Sequence, residues 1–116
     1  MPKYERHRRL TRPHEFQAVR DGGVSVRRGA VVVAVLPGGR RRLGVVVPKR
    51  IGSAPTRNRI KRLIREQFRL RPEQFPKGDC VVIPQSGISK LTNDEIRRGL
   101  THALAALVER CAEGCR

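Results

Sequence analysis

Apolar positions recur along the chain with two different periods, and the breaks between them fall at proline and glycine. Phe16 and Val19 lie three apart, which predicts a short helix over Pro13–Arg20, capped by Thr11 and ended by Gly22-Gly23. Val24–Arg28 reads as a short strand. Ala30–Leu36 and Arg42–Val47 are Val-rich runs separated by the turn signal Pro37-Gly38-Gly39, which predicts that they pair as a hairpin. Pro48–Thr56 is a basic loop, and Pro55–Leu70 carries the clearest helical pattern. After a loop over Pro72–Gly78, the run Cys80-Val81-Val82-Ile83 predicts a strand within Asp79–Pro84. In Thr92–Ala112, Ile96, Leu100, Leu104 and Leu107 recur at three- and four-residue steps and predict a last helix.

This order predicts an α/β fold of the α+β two-layer sandwich kind, with one mixed sheet and helices packed on it. The strand–helix–strand unit from Leu43 to Ile83 would be a crossover, right-handed by the general rule. A length of 116 residues suits a single domain, 1–116, with 1–10 as a flexible basic arm.

Charge narrows the function. Twenty-six Lys and Arg stand against ten Asp and Glu, a formal net charge of +16. A field of that sign selects a polyanion as partner. Arg supplies most of the cations, and its planar fork suits phosphate and bases better than a diffuse membrane surface. No apolar run approaches the roughly 20 residues of a membrane span. The basic N-terminus is not followed by the apolar stretch of a secretory signal, so a cytoplasmic location is expected.

The three cysteines do not space like a disulfide framework. Cys80 lies in an apolar strand and reads as a small core residue. Cys111 and Cys115 are four apart, but no His or further Cys nearby completes a tetrahedral metal set, so no metal site is expected.

The most informative segment is Arg57-Asn58-Arg59-Ile60-Lys61-Arg62-Leu63-Ile64-Arg65-Glu66-Gln67-Phe68-Arg69. At about 100° per residue, Ile60, Leu63, Ile64 and Phe68 gather on one side. Asn58, Lys61, Arg62, Arg65 and Arg69 gather opposite, and Arg57 and Arg59 flank the apolar stripe. Like charges four apart destabilise a helix by roughly 0.2–0.5 kcal/mol per pair. Glu66 is the one counter-charge, so the face calls for a phosphate backbone. Lys49 and Arg50, in the preceding loop, add cations near the helix N-terminus. Asn58 reads equally well as a first-turn capping residue or as a donor to a base edge or ribose hydroxyl.

At these residues the sequence resembles the bacterial ribonuclease P protein family. The resemblance also covers Arg9-Leu10, Glu15-Phe16, the run Leu43-Gly44-Val45-Val46-Val47-Pro48-Lys49-Arg50-Ile51-Gly52-Ser53-Ala54, and Cys80-Val81-Val82-Ile83-Pro84. It implies a subunit that binds a large catalytic RNA and the 5′ leader of precursor tRNA, in an endoribonuclease that matures tRNA. Catalysis would rest with the RNA and its magnesium, with no cofactor on the protein and no catalytic residue in it. RNA contact is implied for Lys49, Arg50, Arg57, Asn58, Arg59, Lys61, Arg62 and Arg65. The resemblance further implies a left-handed crossover, against the general rule, and a monomer within a ribonucleoprotein whose partners are ribonuclease P RNA and precursor tRNA. A cleft between the first helix and the sheet would grip the leader through Phe16. Arg20 and Ala34 stand at two cleft positions where family members carry further aromatics, so leader contact would lean on charge. Pro48 stands where a small polar residue is common.

The residues themselves offer no protein nuclease. His7, His14 and His102 are isolated, and the acids are scattered, whereas a two-metal site needs several carboxylates around its ions. Two other readings fit the composition: a structural rRNA-binding protein, and a DNA-binding protein using 57–69 as a recognition helix. Against the second, Val-rich strand sequence precedes the helix where a helix–turn–helix needs another helix.

Overall fold

The structure, a computed structural model, describes residues 8–114. Three helices and four strands follow one another as α1 (Pro13–Gly22), β1 (Val24–Arg28), β2 (Val31–Pro37), β3 (Arg41–Val45), α2 (Ala54–Leu70), β4 (Gly78–Pro84) and α3 (Asn93–Gly114). The strands form one mixed sheet in the order β1-β2-β4-β3. β2 runs antiparallel to both β1 and β4, and β3 runs parallel to β4. The expected strand–helix–strand crossover is therefore β3–α2–β4.

The expected hairpin between 30–36 and 42–47 does not form. β2 instead turns back on β1 through Gly29-Ala30, with Arg28 opposite Val31. β4 lies between β2 and β3. The reason is burial. β4 is apolar on both faces and belongs in the middle of the sheet, whereas β3 begins with Arg41 and Arg42 and tolerates an edge. Gly78 makes the insertion possible. With φ +135°, it starts β4 beneath the β2–β3 connection, and a β-carbon there would meet Leu36 O at 2.2 Å.

Alternation along β2 splits the core. Val31, Val33 and Val35 face α2 and α3, together with Ile60, Phe68, Leu100 and Leu104. Phe68 and Phe75 meet edge to face at 5.0 Å, a geometry worth about 0.5–1.5 kcal/mol beyond the area it buries. Ala34 and Val81 face the other way, under Val19 of α1. The apolar stripes expected of α2 and α3 are buried as expected, as is Cys80. α2 and α3 cover one face of the sheet; the short α1 covers part of the other.

Two expectations about the N-terminal region need correction. Residues 8–10 are no loose arm: Leu10 is buried, its amide donates to Leu43 O at 2.9 Å, and Arg9 pairs with Leu43 along the outer edge of β3. The rest of the expected arm, 1–7, lies outside the described residues, as does Cys115. Nor does Thr11 cap α1. The cap position is Arg12, and Glu15 reaches back to accept from the Arg12 and Thr11 amides at 3.2 and 3.4 Å.

Candidate nucleic-acid interface

Ser53 starts α2 by accepting from the Thr56 amide, and Pro55 fits the first turn, where no amide is needed. Just before it, Lys49–Ile51 forms one tight turn pinned by buried Ile51, which leaves Lys49 and Arg50 exposed. Because Ile60, Leu63, Ile64 and Phe68 are buried, the opposite side of the helix is fixed toward solvent.

On that side Asn58, Lys61, Arg62, Arg65, Glu66 and Arg69 line a shallow groove of about 380 Å³. The groove has a member the sequence did not announce. Arg9 enters from the segment paired with β3, and a long-range pairing of this kind leaves no local signal. Glu66, the single acid of the groove among the described residues, meets Arg69 at 3.4 Å, one turn along the helix. The Nε of Arg65 is buried and has no hydrogen-bond partner among the described residues. A buried donor without an acceptor costs about 1–3 kcal/mol.

Other expected contacts lie outside this groove. Arg59 donates to the Asn93 side chain at the start of α3, and Arg57 is half-buried. Asn58 is not a cap, since Ser53 holds that place; it is exposed in the groove.

On the opposite face of the sheet, α1 and the strands enclose a cleft of about 190 Å³. That is below the about 300–1,000 Å³ of small-molecule pockets, and the shape is open at the side. Phe16 and Arg20 form its helical wall, and Val32, Ala34, Val81 and Ile83 its floor. The structure thus brings together the residues the sequence assigned to a cleft, including Arg20 and Ala34. Val32 and Ile83 are only half-buried, so the floor leaves apolar surface accessible beside the exposed Arg20.

Arg42 ties α1 to the β3–β4 edge of the sheet. Its guanidinium takes both oxygens of Asp79 at 2.8 and 2.9 Å and Glu15 at 2.7 Å. Burial pushes the Glu15 carboxyl up, but bonds from the Arg12 amide, Arg42 and the Thr11 amide outweigh it and hold the carboxyl below its ordinary range. Hydrogen bonding to Asp79, then to Glu15, raises Arg42 above its ordinary value against the opposing cost of burial.

A second cationic cluster, of Arg8, Arg40, Arg41, Arg42 and Lys77, sits at the corner where β3 and β4 begin. Arg40-Arg41-Arg42 is visible as a run in the sequence; Arg8 and Lys77 join it only through the fold. Among the described residues, no group of His, Cys, Asp and Glu is placed to hold a metal ion, and no helix is long and apolar enough to cross a membrane.

Comparison with known proteins shows the family and the fold. The family model described as Ribonuclease P matches residues 4–108. The chain is 39% identical to the ribonuclease P protein component of Idiomarina loihiensis, across 95% of this chain and 91% of that one. It is 35% identical to that of Macrococcus caseolyticus, across 86% and 90%. Among solved structures it resembles the Staphylococcus aureus RNase P protein, with a TM-score of 0.81 at 31% identity over 85% of this chain and 94% of that chain. It likewise resembles the RNase P protein of Thermotoga maritima, with a TM-score of 0.75 at 34% identity over 83% and 94%.

Proposed function

The chain belongs to the ribonuclease P protein family and is a protein component of that ribonucleoprotein, and from this premise we propose how its two surfaces divide the work. The α2 groove, with Lys49 and Arg50 at its N-terminal end, holds the phosphate backbone of ribonuclease P RNA. The cleft under α1 holds the 5′ leader of precursor tRNA. Hydrolysis of the scissile phosphodiester belongs to the RNA and its magnesium ions; the protein contributes position and charge. It works as a single copy within the ribonucleoprotein, in the cytoplasm.

The observation that supports this division is the placement of the surfaces. A cationic groove lies on the outer side of α2, and an open, mostly apolar cleft lies on the other face of the sheet. One chain can therefore touch an RNA scaffold and a single strand at once. In the cleft, stacking on Phe16 would contribute about 1–3 kcal/mol, and Arg20 adds attraction to the leader phosphates.

The test mixes the protein with a bacterial ribonuclease P RNA and 5′-labelled precursor tRNA at low magnesium. Cleavage at the mature 5′ end should rise with added protein and drop when Arg62 and Arg65 become Ala. Phe16→Ala should weaken binding of precursor with a leader and leave mature tRNA unaffected. A gain in affinity on adding the protein that is equal for precursor with a long leader and for mature tRNA would remove the cleft from the reading. Cleavage by the protein without RNA would overturn the assignment of chemistry to the RNA.

A further inference from the structure

We infer that the corner formed by Arg8, Arg40, Arg41 and Lys77 is a second phosphate-binding site, continuous with the α2 groove and occupied by the sugar–phosphate backbone of the same RNA. The inference rests on the reading of α2 given above.

Three separate segments build the corner: the turn at Arg8 before α1, the β2–β3 connection running into β3, and the residue before β4. They enclose about 450 Å³, lined among the described residues by five cations and Gly39, with no acid. One of the five, Arg42, is neutralised by Asp79 and Glu15. The other four have no ion-pair partner among the described residues.

Two of these four are held in place by contacts that do not consume their charge. Arg41 donates its Nε to Phe75 O at 3.0 Å, so its terminal amino groups remain as a fork. The Arg8 guanidinium lies over the Phe68 ring, 4.9 Å from its centroid. Side chains ordered before the ligand arrives lose less rotamer freedom on binding. Cations gathered from three segments without a counter-charge repel one another until an anion fills the space.

The lining also says what kind of anion. Among the described residues it contains no aromatic and no apolar side chain, so nothing there stacks a base or holds a small-molecule ring. A backbone phosphate needs neither. Arg8 and Arg9 join the two sites. They are neighbours in the chain, where a tight turn ending at Arg8 gives way to the bridge from Arg9 to Leu43. Arg9 lines the α2 groove and Arg8 lines the corner. In this reading a strand leaving the α2 groove at Arg9 passes to the corner at Arg8.

The measurement is the salt dependence of binding to ribonuclease P RNA by the full chain. Each phosphate contact removed lowers the slope of log K against log salt by about 1. Arg40→Ala with Lys77→Ala should lower it by about 2. Both residues are exposed, so the thermal midpoint should stay that of the parent. Arg40→Lys with Lys77→Arg should keep the full slope. Arg27→Ala with Arg28→Ala removes the same net charge from β1, the opposite edge of the sheet, and should leave the slope unchanged. An equal loss of slope in the Arg27/Arg28 and Arg40/Lys77 variants would reduce the corner to general field and overturn the inference. If Arg62→Ala with Arg65→Ala also leaves binding untouched, the reading of α2 falls and takes the corner with it. If only the Arg40/Lys77 variant binds like the parent, the corner alone falls.

Discussion

The ring of Phe16 lies against the backbone of Gly44: a β-carbon at residue 44 would stand 2.5 Å from Phe16 Cε1 and 2.9 Å from Cζ. Gly44 sits inside β3, paired with Val81 of β4, where a glycine ordinarily weakens a strand. Here the missing side chain makes room for the aromatic wall of the cleft. The depth at which Phe16 sits, and so the width left for a ligand, is set by this one position.

Gly44→Ala should therefore act on the cleft before it acts on the α2 groove. Overpacking of this size costs about 1–3 kcal/mol, read as a lowered thermal midpoint. Phe16 must swing outward, so affinity for precursor tRNA with a leader should fall toward that for mature tRNA. Affinity for ribonuclease P RNA should stay within twofold of the parent. A precursor affinity that survives Gly44→Ala would show that Phe16 does not set the cleft.

Arg42 gives the fold a dependence on acid. The folded Glu15 carboxyl is held below its unfolded value, so its ion pair stabilises the fold fully above the unfolded pKa. That contribution is lost as pH falls through the depressed folded value. Chemical denaturation from pH 7 to pH 3 should show stability dropping at the acid end, with a smaller drop in Glu15→Gln. At pH 7 the Gln variant should be less stable by about 1 kcal/mol. Parallel pH curves for the two proteins would exclude Glu15 as the titrating group.

Much of this arrangement was legible in the residues. The two faces of α2 follow from Ile60, Leu63, Ile64 and Phe68 falling on one side at helical spacing, and the structure buries all four. The last helix was equally clear, since Ile96, Leu100, Leu104 and Leu107 are all buried. What failed was long-range pairing. Pro37-Gly38-Gly39 is a sound local turn signal, but it does not say that β4, far along the chain, will slide between the two strands it joins. Gly78 was the available clue, and its meaning depends on a neighbour brought there by the fold. The same limit hid Arg9 in the α2 groove and Arg8 in the corner. At α1, the expected Thr11 cap gave way to Glu15, whose carboxylate serves the Arg12 and Thr11 amides and Arg42 together. The cleft positions of Arg20 and Ala34 came from family resemblance, since nothing in their local pattern places them beside Phe16.

Cys80 should be chemically silent in the folded protein. Burial, and then the neighbouring Cys111, pushes its thiol up to about 12, so almost no thiolate exists at pH 7. Pulse alkylation with iodoacetamide followed by peptide mass spectrometry should leave Cys80 unmodified while the half-buried Cys111 reacts more readily. Labelling of Cys80 at the rate of a free thiol would mean that the centre of the sheet opens far more often than its packing implies.

Anions should stabilise the free protein beyond any effect of ionic strength. The net charge of +16 makes the compact state repel itself, and the buried Arg65 Nε has no acceptor among the described residues. A sulfate or phosphate that binds only the folded groove stabilises it by about 2.7 kcal/mol at one hundred times its dissociation constant. For a domain of about this size each kcal/mol moves the thermal midpoint by roughly 4–8 °C. Melts followed by circular dichroism in sulfate and in chloride, matched for ionic strength, should differ by several degrees. Chloride screens the charges but cannot offer Arg65 and Arg62 the several acceptor oxygens of sulfate. Arg65→Gln should narrow the difference, because it removes the cationic donor from the groove and keeps a side chain of related shape. Equal midpoints in the two salts would mean that the groove has no intrinsic preference for a phosphate-like anion, and that its hold on RNA is a matter of diffuse charge.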